Sequence, residues 1–395
     1  MTPRLASARN VTPARSLFLA LVLAAGALGA AASLSRAEDA PTYEWGVAYY
    51  MSYDNNLEKC GKPILGMIEK GVTSPKVVCA VQADFTDEGG MHRYVFKSTG
   101  KEESRISSDD SASEDEAAAY FEWFAKTYPC QHYVFTFLDH GGRIDEMCVD
   151  DHPPPGGKKW MSGKVMGEKL RGVKAKLKGK LDLLFLQQCG RGSLENLYSF
   201  RGTADFVMSS PVPVGAPNTY YTALGKWLGE SPKATGSDVA AKIAAEDQHY
   251  TIYTCLRTPK LDELPAQLDK VLGPLAKTAG LAPQPVTTKD VIHPVGEPIV
   301  DAKLYLEGVA AVNSGVAAKE VDAFFKWTRE ELFTFVTFHP KHGDMKDQLC
   351  GLSIFAALTP AQAVRYSDLD LYKKTQLPAL WKKIATRAEK RRRDP

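Results

Sequence analysis

The stretch "HYVFTFLDHGG", residues 132–142, decides how the rest of the chain is read. Its β-branched and aromatic run suits a buried strand of a pleated sheet. The run breaks at Asp139-His140-Gly141-Gly142, which puts an imidazole and two glycines at the strand's carboxyl edge. Open α/β sheets carry their chemistry along that edge. A second stretch, "KLDLLFLQQCGRG" (180–192), has the same form: an apolar strand, then Cys189 and Gly190.

Working outward, "YEWGVAYYM" (43–51), "KVVCAVQADF" (76–85) and "ADFVMSS" (204–210) read as further strands. Between them lie helical spacings: Leu57, Ile64 and Ile68; Ala117, Phe121 and Phe124, stopped by Pro129; and Met166, Leu170, Val173 and Leu177, capped by Ser162. Strands alternating with helices imply right-handed crossovers, and hence an α/β fold with a mainly parallel sheet flanked by helices. "MHRYVFK" reads as a hairpin-like insert, "KEESRISSDDSASEDE" as an exposed loop, and "CVDDHPPPGGKKW" as irregular. The alternation bounds a core at 43–230. Residues 231–345 read as a mostly helical insert with Pro-containing loops, and 346–395 as a late strand, "CGLSIFAAL", with a C-terminal helix packing on the core.

The first forty residues have another character. Arg4, Arg9 and Arg15 precede an apolar run from Leu17 to Ala32, and small residues follow it. This is the shape of a secretory signal over 1–37, with cleavage after Ala32 or Ala37. The run falls short of the ~20 apolar residues of a membrane span. An exported protein, periplasmic or extracellular, with no stable membrane association after cleavage is therefore expected. Loss of Arg4, Arg9, Arg15 and Arg36 with no acid takes the formal charge from +2 to −2, so nothing basic argues for nucleic acid. Seven cysteines in an exported chain suggest disulfide pairs plus one free thiol.

If the strands ending at His140 and Cys189 are parallel neighbours, the two side chains meet at one edge. A thiolate is the attacking species in cysteine catalysis, and an adjacent imidazole both lowers its pKa and can protonate a leaving amine. The flanking glycines let a substrate backbone approach and leave main-chain N–H groups for a developing oxyanion.

With these residues in view, the chain resembles the clostripain-like cysteine peptidases, which share a caspase-like fold with caspases, gingipains and legumains. "WGVAYYMSYDNNLE" is similar to that family's opening strand and Asp-Asn-Asn-Leu turn, and "HYVFTFLDHGG" to its catalytic-histidine strand. "LDLLFLQQCGRGSLENLYSFRGTADFVMSS" resembles its nucleophile strand, crossover and next strand, and "CGLSIF" its late strand. The resemblance implies protein or peptide substrates, Cys189 as nucleophile, His140 as general base and acid, and the N–H groups of Gly141 and Cys189 as oxyanion donors. Where the family carries an aspartate two residues before the nucleophile, to bind a basic residue before the cut, this chain has Gln187. A preference that is not strictly basic is the consequence, with Asp145 and Asp150, beside Glu146 and Asp151, as replacement acids for substrate binding. The resemblance brings no cofactor with it: calcium, which some members use, finds no ligand-spaced acidic loop in this sequence. A caspase-like scaffold that binds peptide without cutting is the alternative; the presence of both Cys189 and His140 favours the enzyme.

Overall fold

The strand quoted first lies near the middle of a nine-stranded sheet. A computed structural model describes residues 42–86 and 89–393; the signal-shaped segment 1–37 lies outside them. The strands are β1 (Tyr43–Tyr53), β2 (Val77–Phe85), β3 (His92–Lys97), β4 (Gly100–Arg105), β5 (Cys130–Leu138), β6 (Glu146–Asp150), β7 (Lys159–Ser162), β8 (Lys180–Gln187), β9 (Phe206–Ser209), β10 (Ile252–Arg257), β11 (Ile299–Asp301), β12 (Phe333–Phe338) and β13 (Ser353–Phe355). The principal helices are α1 (Glu58–Gly71), α2 (Glu114–Thr127), α3 (Gly163–Lys174), α4 (Leu194–Ser199), α5 (Tyr221–Glu230), α6 (Gly236–Glu246), α7 (Leu264–Lys277), α8 (Ala302–Val312), α9 (Ala318–Trp327) and α10 (Leu377–Arg393).

The sheet runs β12-β10-β9-β8-β5-β1-β2-β3-β4. Its five central strands, β9 to β2 in that order, are parallel, and an antiparallel pair extends each side. β5 and β8 are neighbours in register Leu138↔Gln187, so the residues that follow them emerge side by side. Alternate side chains feed two cores. Ala48, Tyr50, Phe135, Phe137 and Leu184 pack under α2 and α3. Val47, Tyr49, Val134, Leu183 and Phe185 face α1, α5 and α6.

Helix α2 shows how local signals and packing agree. Ser113 caps it by accepting from Glu116 N, and Glu114, Asp115 and Glu116 in the first turn complement the positive end of the helix. Its buried face is Ala117, Tyr120, Phe121 and Phe124, with Phe121 stacked on Phe135 of β5 at 4.3 Å between centroids.

Two expectations need correction and two gain detail. The first part of the polar run after β3 is the edge strand β4 rather than loop; its exposed charges suit an edge that must not pair with another chain. The Pro-Gly stretch is the tip of a hairpin, because β6 and β7 pair on either side of it. The segment 231–345, read as mostly helical, also carries β10 and β12, which extend one side of the main sheet. The late strand β13 pairs with β11 in a separate two-stranded sheet, tied to the core by a bridge from Ser353 to Ser193. Helix α10 nevertheless seats Leu377, Leu380, Trp381 and Ile384 in the same core as β5 and β8.

All seven cysteines are free thiols. Cys60, Cys79 and Cys255 pack in one core and Cys130 and Cys148 in the other, where they act as small apolar residues.

Truncating Phe121 to alanine should lower unfolding free energy by about 3–5 kcal/mol, since it removes a fully buried ring and leaves a cavity against Phe135. Urea denaturation of the variant checks this; a loss under 1 kcal/mol would mean the helix-sheet layer repacks.

Candidate active site

His140 and Cys189 follow adjacent parallel strands and line one cavity of about 290 Å³ at the carboxyl edge of the sheet. Tyr53, Asn56, Lys59, Gln187, Val214 and Asn218 are among its other walls. A larger depression of about 720 Å³ beside β12 is bordered by His339 but by no cysteine.

The imidazole is aimed by the turn that follows β1. Asn55 Nδ2 donates to Asp139 Oδ1 at 2.9 Å, to Ser52 O at 2.9 Å and to Val149 O at 3.1 Å, while Leu57 N donates to its Oδ1. The next residue, Asn56, places its Oδ1 2.6 Å from His140 Nε2. An amide oxygen only accepts, so Nε2 carries the proton and Nδ1 keeps a lone pair. Burial, then the charge of Lys158, holds His140 below its ordinary value of 6.5. The ring is thus a neutral base at neutral pH.

Cys189 is half-buried. Val214 N donates to Sγ at 3.3 Å, and Val214 O lies 3.6 Å from the sulfur. Burial raises the thiol above its ordinary value of 9.0, against smaller lowering effects from the Val214 amide and Arg191. The sequence-based expectation of a lowered thiol pKa is therefore corrected: desolvation outweighs the local donors, and the resting pair is thiol and neutral imidazole.

Two glycines are required by contact. A Cβ on Gly141 would lie 1.9 Å from Cys189 O, so the loops after β5 and β8 touch backbone to backbone. Gly190 has φ +67°, and a Cβ there would meet the His293 ring at 2.2 Å. Among the described residues, neither the Gly141 nor the Cys189 amide donates to another main-chain carbonyl.

Sequence reasoning missed two supports. Arg191 is fully buried, and its guanidinium donates to Cys189 O at 3.1 Å, Gly142 O at 2.7 Å, Arg143 O at 2.8 Å and Ile144 O at 3.2 Å. Burial pulls its pKa down to about 10, which leaves it charged at neutral pH. His293 is buried behind the same loops and its Nε2 lies 2.9 Å from Gly142 O. Arg191 had a sequence signal, its place two residues after the cysteine; His293, 104 positions downstream, had none.

Gln187 does reach the cavity, with its polar atoms already engaged. Nε2 donates to Asn218 Oδ1 at 2.5 Å and Tyr221 OH at 2.9 Å, and Oε1 accepts from Tyr220 OH at 2.6 Å. Behind them Asn218 donates to Asp247 Oδ2 at 2.6 Å. The proposed replacement acids are elsewhere. Asp145 accepts from Ser162 Oγ and Lys164 N and so fastens the start of α3, and Asp150 accepts from Ser111 N and His152 N. Neither borders the cavity, because each carboxylate is consumed by main-chain donors of its own neighbourhood. His132 is an edge residue, stacked on Trp45 and paired with Asp182 at 3.0 Å.

Because His140 is depressed, the acid limb of kcat/KM should fall below pH 6.5: the base loses its lone pair only when pH drops through the lowered value. Asn56→Asp should move that limb upward by about one unit or more, since a carboxylate favours the protonated ring. In the free enzyme, alkylation of Cys189 by iodoacetamide should rise with a midpoint above pH 9. A plateau reached by pH 7 would instead mean a resting thiolate-imidazolium pair.

The comparisons with known proteins can now be set beside this geometry. Residues 49–294, which include His140 and Cys189, match the model of the clostripain family. An inactive zymogen of a C11 protease from Parabacteroides distasonis has the same fold, with TM-score 0.65 at 18% identity, covering 85% of this chain and 99% of its own. A secreted C11 cysteine protease from Bacteroides thetaiotaomicron, in complex with an irreversible peptide inhibitor, gives TM-score 0.62 at 16% identity, covering 84% and 99%. No curated protein matches the chain. The family match spans well over half the sequence and both strand-end residues: this chain belongs to the clostripain family of cysteine-type endopeptidases.

Proposed function

We propose that this endopeptidase acts after export, cutting peptide bonds through a Cys189-His140 dyad and an acyl-enzyme intermediate. The observation that carries the reading is the pair itself: thiol and imidazole on one cavity wall, with Asn56 holding the Nε2 proton and leaving Nδ1 free. In the first step the Cys189 thiol gives its proton to His140 Nδ1 as the sulfur bonds to the substrate carbonyl carbon. Negative charge moves to the carbonyl oxygen, toward the Gly141 and Cys189 amides. When the intermediate collapses, the C–N bond breaks and the leaving amine takes the proton from the imidazolium. Water, deprotonated by His140, then hydrolyses the thioester.

Export rests on the signal-shaped segment and on the likeness to a protease described as secreted. No helix among the described residues is long and apolar enough to cross a membrane.

The reading extends to specificity. Gln187 stands where the family has a carboxylate, its amide is saturated by Asn218, Tyr220 and Tyr221, and the cavity's exposed charge is the cation Lys59. Asp139, the acid among the lining residues, is occupied by Asn55 and the Val149 amide. Nothing there offers a charge-assisted partner to an arginine side chain, so the preference is not strictly basic.

Cys189→Ala and His140→Ala should each abolish turnover as fully as the double variant, because the two residues act as one unit. Additive losses would overturn the dyad. Gln187→Asp should raise cleavage after arginine relative to neutral residues by roughly 10- to 100-fold, the scale of a hydrogen bond to a charged group. Peptide-library cleavage read by mass spectrometry measures the ratio; a wild-type profile already dominated by arginine, and unchanged in the variant, would refute the specificity reading.

A further inference from the structure

The two amides assigned to the oxyanion stand on separate loops, one after β5 and one after β8, and a single ring touches both loops. His293 belongs to segment 278–298, which joins α7 to β11 and forms no helix or strand of its own. Its neighbours nevertheless hold it in place. Ala282 N donates to Asn313 Oδ1 at 2.7 Å, Ile292 N to Ile299 O at 2.9 Å and Val295 N to His293 O at 3.0 Å. Farther on, buried Glu297 accepts from Arg365 and from Tyr366 OH.

On one side His293 Nε2 lies 2.9 Å from Gly142 O. A carbonyl only accepts, so Nε2 carries the proton. Arg191 Nη2 donates to the same oxygen at 2.7 Å, and Gly142 N donates to Glu146 O at 2.9 Å, so both polar groups of Gly142 are engaged. On the other side the ring lies on Gly190, where a Cβ would stand 2.2 Å from Cδ2. Nδ1 is buried without a partner, and a bare buried acceptor costs about 1–3 kcal/mol. A phenyl ring would fill the space without that cost, so what the imidazole adds is the Nε2–H. Burial, then the charge of Arg191, pulls its pKa down to about 4, which leaves the ring neutral with one N–H at neutral pH.

We propose that His293 is a positioning residue for the oxyanion site: its ring spaces the loop after β8 at Gly190, and its Nε2–H holds the loop after β5 at Gly142 O. This role presupposes the Cys189-His140 dyad. Among the described residues His293 makes no hydrogen bond to the thiol or to the catalytic imidazole; it acts through the Gly141 and Cys189 amides that those loops carry. Charge reaches the substrate oxygen only in the transition state, so displaced donors cost more there than in the bound substrate. Turnover should therefore suffer while substrate binding does not.

The test uses the full chain and a peptide it cleaves, with kcat, KM and the rate of Cys189 alkylation by iodoacetamide measured side by side. In His293→Phe, which keeps a flat ring and loses the donor, kcat should fall roughly 10- to 100-fold with KM within about threefold of wild type. Alkylation should stay within about threefold, because displacement of iodide by the thiolate forms no oxyanion. His293→Gln, which restores an N–H donor, should recover at least about threefold in kcat over His293→Phe. If His293→Phe does not fold, His293→Met, which also lacks the donor, takes its place with the same expectation. An unchanged kcat would overturn the proposal. So would turnover and alkylation falling by the same factor, which would make the residue a general support of the fold, or a glutamine variant no better than phenylalanine. Failure of the dyad reading shows elsewhere, in Cys189→Ala or His140→Ala chains that still turn over.

Discussion

The active site depends on one buried cation. Arg191 emerges just after the nucleophile and turns its guanidinium back under the loop after β5, where main-chain carbonyls of residues 142, 143 and 144, together with that of Cys189, surround it. Among the described residues no carboxylate forms an ion pair with it; the charge is solvated by peptide dipoles instead. The planar fork suits this, because its donors point in fixed directions and four of the five find a main-chain oxygen. The two parallel strands bring His140 and Cys189 to one edge, and Arg191 fixes how far apart their loops stand. Gly141 must lack a side chain for the same reason, since the loops so held meet backbone to backbone.

The fold and the reacting pair were legible because they are written in local patterns. Each strand ends where its apolar run meets a polar residue and glycine, and parallel pairing then follows from the helices between. The supports were not legible. Arg191 sits in plain view in "QQCGRG", but an arginine after a strand reads as surface until the fold closes over it. His293 and the Asn218-Asp247 network reach the site from far along the chain, and no spacing rule joins them to Gln187. Asp145 and Asp150 failed as pocket candidates because acids in loops so often serve main-chain amides: one starts a helix, the other ties residues 111 and 152. Short edge elements misled for a related reason. β4 is exposed throughout, and β13 pairs outside the main sheet, so neither carries the alternation that betrays a half-buried strand.

The environment of Gln187 bears on how the cavity is built. Three partners saturate one amide, and two of them are tyrosines stacked on each other at 4.2 Å. Such a network is rigid, since breaking any member strands another buried polar group. The wall of the cavity is therefore set by the fold and does not wait for substrate to shape it.

The seven unpaired sulfurs have a consequence for how the protein responds to oxidants. With no cross-link to make or break, the folded state is indifferent to the thiol–disulfide balance around it. Turnover is not, because Cys189 is half-exposed and must stay reduced to attack, while the five fully enclosed thiols are shielded from oxidants. Oxidation of Cys189 itself would thus halt turnover while leaving the architecture whole, and a small reductant would restore it as long as oxidation has gone no further than the sulfenic acid.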